Sequence, residues 1–133
     1  MTRILVVGAG DPEDAQFIHD RLHEVNNTYG PITCVIHANH PQALAWQQAV
    51  AKQRRVLHKP IVEDRNDGVA ANARWRERLF AEGLPYYVVV FDLLDGPKTR
   101  IPKKKIEKIV FMAQRRGIEV LTYSKGKKAE VLV

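Results

Sequence analysis

The sequence predicts one α/β domain of Rossmann-like, three-layer architecture, and three observations support this. Short apolar, β-branched runs recur along the chain and alternate with segments of helical period. Glycine and proline stand between these segments, where turns are expected. Neither a linker nor an internal repeat divides residues 1–133, a length that suits a single core. The alternation favours a mostly parallel, five-stranded sheet with helices on both faces.

The apolar runs define five strands. The first, Arg3 to Val7, is bounded by glycine and is typical of a buried strand. Tyr86 to Phe91, YYVVVF, is the clearest strand pattern in the chain. The other three are Ile32 to Ile36, Arg55 to Ile61 and Ile118 to Thr122. We expect the last residues, AEVLV, to return as a short edge strand.

Four helices are predicted between these strands. Asp11 is suited to cap the first, with Pro12 in its first turn. Its apolar face recurs every three or four residues at Ala15, Ile18, Leu22 and Val25. The second helix starts at Pro41, and the third covers Val69 to Glu82. The fourth stops at Gly117 and has an apolar face of Ile106, Ile109, Val110 and Ala113.

Composition restricts the class of protein. No apolar run approaches the roughly 20 residues that cross a bilayer, and no signal-peptide pattern opens the chain. We therefore expect a cytoplasmic protein that does not enter a membrane. The single cysteine, Cys34, excludes an internal disulfide and is expected to be a buried, inert thiol. The net charge of +6 favours an anionic partner, although a soluble surface that is simply basic explains it equally well.

Ligands of open parallel sheets bind beyond the carboxyl ends of the strands. This rule selects four loops as candidate sites: Gly8 to Asp14, His37 to Pro41, Val62 to Gly68 and Asp92 to Pro102. In the first loop, Glu13 stands where the dinucleotide fingerprint G-x-G-x-x-G requires glycine. Gly8 and Gly10 are consequently either a structural turn or backbone contacts to a ribose or base.

The second and third loops offer polar side chains. His37 and Asn39 are candidates for ligand contact, but too few histidines and cysteines cluster to predict a metal, and we expect no resident cofactor. Arg74 begins the helix after the third loop and is either a ligand contact or part of a solvated charged face.

The fourth loop predicts an anion site. Lys98, Arg100 and Lys103 crowd the start of a helix, where cations oppose the helix dipole. Free backbone N–H groups at the same place attract anions, so a bound phosphate explains this charge, and a flexible basic surface is the alternative. Asp92, Gly96 and Thr99 complete the candidate set, although GPKT lacks the first glycine of a P-loop.

Five short motifs follow one another over nearly the whole chain. They are Gly8-Ala9-Gly10-Asp11, Val35-Ile36-His37, Ala70-Ala71-Asn72-Ala73-Arg74, Glu82-Gly83-Leu84-Pro85, and the run Ala113 to Val120 after Phe91. In this order they resemble the motifs of the SLOG superfamily, a Rossmann-like group that includes cytokinin-activating phosphoribohydrolases. The likeness is to its small YspA-type branch, found in bacteria and their phages. The resemblance implies a nucleotide-related ligand at the carboxyl ends of the strands.

The departures from that family fall on its functional positions. Gly10 replaces the arginine of the first turn, and the glycines and aspartate of the second motif are absent. The phosphate-cradling P-G-G-x-G-T segment becomes Asp92 to Thr99, which keeps one glycine and the threonine. The catalytic glutamate has no counterpart, because Glu107 lies too far into the helix. The resemblance therefore implies a framework that persists after the reaction chemistry is lost.

Three functions are compatible with these residues. The first is a non-catalytic module that binds a phosphorylated nucleotide derivative. The second is a nucleic-acid-binding protein that uses Arg115-Arg116 and the lysine runs for phosphates and Trp75, Tyr86 or Tyr123 to stack bases. The third is a hydrolase of N-glycosidic bonds with a carboxylate such as Asp92. Assembly as a homo-oligomer is compatible with each of them.

Overall fold

The computed structural model describes residues 2–9, 15–37, 56–62, 64–92, 103–124 and 130–132. The strands are β1 (Thr2–Ala9), β2 (Ile32–His37), β3 (Leu57–Pro60), β4 (Tyr87–Asp92), β5 (Glu119–Ser124) and β6 (Glu130–Leu132). The described helices are α1 (Ala15–Tyr29), α2 (Ala71–Ala81) and α3 (Lys103–Arg115), and a 3₁₀ segment, Arg65–Ala70, precedes α2.

The strands form one sheet in the order β3-β2-β1-β4-β5-β6. The first five in this order run parallel, and β6 pairs antiparallel with β5 at the sheet's edge. The predicted fold class is thereby confirmed: an α/β, Rossmann-like sheet of five parallel strands with a short C-terminal edge strand. β1 lies inside the sheet, between β2 and β4.

Two apolar layers enclose the sheet. On one face, Ile18, Leu22 and Val25 of α1 pack against alternate residues of β1 such as Ile4 and Val6. On the other face, α2 and α3 supply buried side chains that pack against the remaining residues of β1 and β4. This second layer comprises Leu5, Val7, Trp75, Leu79, Phe80, Val88, Val90, Ile109 and Ala113 among others. Because both faces are covered, the central strands are apolar at nearly every position.

The element boundaries differ from the sequence prediction in informative ways. The predicted helix Val69 to Glu82 begins later than expected: Val69 and Ala70 belong to the 3₁₀ segment, which is kinked at Gly68 with a φ of 61°, and α2 starts at Ala71. β4 begins at Tyr87 and extends to Asp92. The predicted Asp11 cap and the helix from Pro41 lie outside the described residues. Among the helices that are described, none is both long and apolar enough to cross a membrane.

Side-chain hydrogen bonds fix the turn between α1 and β2. Asn26 accepts the backbone N–H of Ile32 at 2.9 Å, and the Thr2 hydroxyl donates to the Tyr29 carbonyl at 2.9 Å. Gly30 ends the helix with φ of 95°, a conformation that residues with a side chain rarely adopt. Asn26 thus lies inside α1, and its side chain holds the first residue of β2.

The chain that follows α2 passes close to β2 at Gly83. We therefore predict that a methyl group at this position destabilises the fold. A Cβ atom there would collide with the Leu79 carbonyl oxygen and lie 3.1 Å from Ile36 Cγ1. We expect Gly83→Ala to lower the free energy of unfolding by about 1–3 kcal/mol in urea denaturation. Glu82→Ala is the neighbouring control, because it removes only an exposed ion pair with Arg78, worth about 1 kcal/mol or less. Equal stability of the two variants would contradict the packing described here.

Candidate functional site

The parallel strands end at different heights along the carboxyl edge of the sheet. The last residue of β2, His37, pairs with Val6 of β1 and with Pro60 of β3. β1 continues beyond Val6 to Ala9, which pairs with Asp92 of β4. Three further residues correspond to about 10 Å of strand. The edge therefore has a step: β1, β4 and β5 project about 10 Å beyond the ends of β2 and β3.

His37 lies at the foot of this step. Its side chain is 1% exposed, and it follows Ile36 of the opposite layer, so it lies on the α1 face of the sheet. Its carbonyl accepts a hydrogen bond from the Ile61 N–H at 2.8 Å, which ties the end of β2 to the segment after β3. His37, a predicted ligand contact, is thus held next to the point where β1 extends past the end of β2.

Gly8 and Asp92 belong to the projecting strands. Gly8 pairs with Phe91 and lies two residues beyond Val6, on the same face of the sheet as His37. Since glycine has no side chain, the α1 face of β1 is bare backbone at the level just above His37. Asp92 pairs with both Ala9 and Ser124, which places its backbone at the end of the sheet.

The predicted anion residues belong to the segment that follows β4. Lys103 is the first residue of α3, as the sequence predicts for a helix start rich in lysine. No acidic residue occupies the first turn of α3. The other residues of the predicted site lie outside the described part of the chain: Gly10, Asn39, Gly96, Lys98, Thr99 and Arg100.

Arg74 lies in a different environment from the step. It lines an open hollow of about 660 Å³ on the outer surface of α2, together with Asp64, Glu77 and Arg78. Arg78 pairs with Glu82 at 2.9 Å and donates to the Val62 carbonyl. The hollow contains charges of both signs, which is typical of a solvated charged face. Of the two interpretations of Arg74, this environment favours part of a solvated face over a ligand contact.

Two of the three aromatic residues predicted to stack bases are buried. The Trp75 ring is 3% exposed, and its indole N–H donates to the Ile61 carbonyl at 2.7 Å. Tyr123 is 4% exposed and stacks on Phe91 with ring centroids 5.6 Å apart. Tyr86 is half exposed, but the Arg3 guanidinium covers its ring at 4.5 Å. The stacking assignment for Trp75 and Tyr123 was therefore wrong, because core packing takes both rings.

A basic groove between α2 and α3 was not predicted from the sequence. It has a volume of about 860 Å³, and its cations surround two apolar residues of α3, Phe111 and Met112. The cations are Arg76, Lys108, Arg115 and Arg116, and one carboxylate, Glu107, lines the groove as well. We call this surface the α2–α3 groove. Lys108, Phe111, Met112 and Arg115 recur at i, i+3, i+4 and i+7, a spacing that could have identified one face of a helix.

Burial changes the acidity of the Cys34 and Tyr123 side chains. Burial raises the pKa of the Cys34 thiol, although the nearby charges of Lys59 and Arg3 lower it in part. Burial likewise raises the pKa of Tyr123, and the carboxylate of Glu24 adds to the rise. Both groups therefore stay neutral over a wider pH range than in water.

The histidines of α1 form a pair rather than a metal site. The rings of His19 and His23 contact each other edge to face, with centroids 4.5 Å apart. Within the ranges that the structure describes, no three histidine, cysteine or acidic side chains come together as a metal would require.

Comparisons with known proteins leave the family of the chain open. No family model, curated protein or solved structure matches it.

The environment of Cys34 predicts a thiol that does not react in the folded protein. A raised pKa reduces the thiolate fraction at any given pH, and burial restricts access of the reagent. At pH 8 we expect Ellman's reagent to modify native protein at least about tenfold more slowly than free cysteine. The same protein unfolded in urea serves as the control and should react at the rate of an exposed thiol. Rapid modification without denaturant would show that the strand is not packed as described.

Proposed function

We propose that this protein is a non-catalytic binding module for a phosphorylated, nucleotide-derived ligand, which it holds at the carboxyl edge. The observation that carries the proposal is the switch point between β1 and β4, which lies beside the step from β1 down to β2. In open parallel sheets, ligands bind where neighbouring strands lead to connections on opposite faces. β1 is followed by α1 on one face, whereas β4 is followed by α3 on the other.

The sugar or base of such a ligand would lie at the step. The last paired residues of β2 and β3 lie about 10 Å below those of β1 and β4, and the flat part of the ligand would lie over the end of β2. Gly8 offers backbone without a side chain at this level, and Gly10 follows it in the chain. His37 ends β2 and Asn39 follows it by two residues in the sequence, and both belong to the proposed set of polar contacts.

The phosphate would bind between β4 and α3. The connection contains Gly96, Lys98, Thr99 and Arg100, and it leads into a helix that begins with three lysines. The first N–H groups of a helix lack partners within it and carry a partial positive charge. Cations next to that charge destabilise the free helix start, and a bound phosphate removes the repulsion. This compensation supports an anion site.

The absence of a matched glutamate supports binding rather than hydrolysis. The family that the sequence resembles uses a glutamate after the phosphate loop, and the nearest acidic residue of α3 is Glu107. Glu107 lines the α2–α3 groove on the outer surface of the helix, away from the step.

Removing the loop cations should weaken binding of the phosphate selectively. We expect isothermal titration calorimetry to detect adenosine monophosphate binding to the wild-type protein. Lys98→Ala/Arg100→Ala should raise the Kd for this ligand at least about 100-fold, since the two lost charge-assisted hydrogen bonds contribute about 1.5 kcal/mol or more each. Binding of adenosine, which has no phosphate, should change less than threefold, a limit of about 0.6 kcal/mol.

The control is Lys59→Ala/Arg78→Ala, which removes two other exposed cations and leaves the same net charge as the loop variant. Equal loss of affinity in both double variants would show that net charge alone attracts the ligand. Absence of binding by the wild-type protein to adenosine monophosphate, ADP-ribose and a cyclic dinucleotide at millimolar concentration would reject the proposed function.

A further inference from the structure

We infer that the α2–α3 groove is a second, separate site, which binds single-stranded nucleic acid. The inference is independent of the ligand at the carboxyl edge and uses other residues. Four cations line the groove: Arg76 on α2 and Lys108, Arg115 and Arg116 on and just after α3. Within the described residues, no carboxylate forms an ion pair with any of the four.

The arginines are held in place by aromatic rings instead of by carboxylates. The Arg115 guanidinium lies 5.7 Å from the centre of the Phe111 ring, and that of Arg116 lies 5.1 Å from the Phe80 ring. Arg76 donates to the side chain of Asn72. These contacts orient the guanidinium groups without neutralising them. Their charge therefore stays available for phosphate.

Phe111 supplies the surface on which a base can stack. The Phe111 ring is 59% exposed. The fold does not require its burial, because Ile109 and Ala113 form the side of α3 that faces the core. The neighbouring Met112 thioether adapts to the shape of a ligand. An exposed aromatic ring among cations is the combination by which proteins bind single strands without reading their sequence.

The geometry favours an unpaired strand over a duplex or an acidic polypeptide. The groove follows α3 from Lys108 to Arg116, so its cations form a row about 12 Å long. A base stacks on Phe111 only if it is unpaired, which a duplex does not provide. An acidic peptide covers the exposed ring only where it contains an aromatic residue, whereas every nucleotide of a single strand carries a base that can stack.

The groove also lies apart from the step. α3 begins after β4, at the carboxyl edge, and it ends before β5, at the opposite edge of the sheet. Arg115 and Arg116 are at this far end, one helix length from Lys103. Occupation of one site therefore does not exclude occupation of the other.

The test is fluorescence anisotropy with a labelled 20-nucleotide oligothymidylate. If the four cations each neutralise one phosphate, log K falls against log salt with a slope of about −3, which is a loss of about 50-fold between 50 and 200 mM salt. Arg115→Ala/Arg116→Ala should reduce the slope by about 1.4. Phe111→Leu should weaken binding about tenfold and leave the slope unchanged, because stacking is not ionic.

Lys59→Ala/Arg78→Ala is the matched control for charge and should bind as the wild type does. Circular dichroism verifies that each variant is folded, and the salt slope of the wild-type protein tests the inference without any variant. Four results would overturn the inference: no binding, tighter binding to a 20-base-pair duplex, equal weakening in the control, or displacement of the oligonucleotide by a 20-residue polyglutamate at equal concentration. The last result would identify the partner as an acidic polypeptide.

Discussion

β1 pairs with β4 on one side and with β2 on the other, and the chain leaves β1 and β4 on opposite faces of the sheet. Six consecutive residues of β1, Ile4 to Ala9, are in register with Tyr87 to Asp92. Because both strands are covered on two faces, a slip of one residue would move their side chains into the opposite layers and disrupt the packing of both. This register sets the height of the step above His37 and the point where the chain turns toward α3. The candidate site at the carboxyl edge depends on it directly.

The two ends of α3 place positive charge in opposite electrostatic settings. At the C-terminal end, Arg115 and Arg116 complement the negative end of the helix dipole, so their presence stabilises the helix without a ligand. At the N-terminal end, Lys103 and its two neighbours oppose the dipole. The proposed anion would offset this repulsion, whereas the proposal for the arginines requires the groove and the exposed Phe111 ring as well. The two proposals thus depend on different physical arguments and can fail separately.

Much of the fold was predictable, because strand and helix periods depend on local sequence. The patterns at Arg3 to Val7 and Tyr86 to Phe91 located the central strands to within two residues. The step was not predictable, because it depends on the relative lengths of β1 and β2 and on a register that no local pattern encodes.

Trp75 was misassigned for a similar reason. Its spacing of four residues from Leu79 indicates the apolar face of a helix, but its residue type was given more weight than its position. The α2–α3 groove combines side chains from two helices that lie far apart in sequence, so only tertiary structure brings Arg76 to Arg116.

The central claim is that the step at the carboxyl edge receives a phosphorylated nucleotide derivative. Amide chemical-shift mapping by ¹H–¹⁵N correlation spectroscopy, with adenosine monophosphate as the titrant, tests it most directly. The account predicts that the largest shifts occur at Gly8, His37, Asp92 and Lys103, with amides of the α2–α3 groove little affected. Shifts confined to Phe111 through Arg116, or no shifts at saturating ligand, would contradict it.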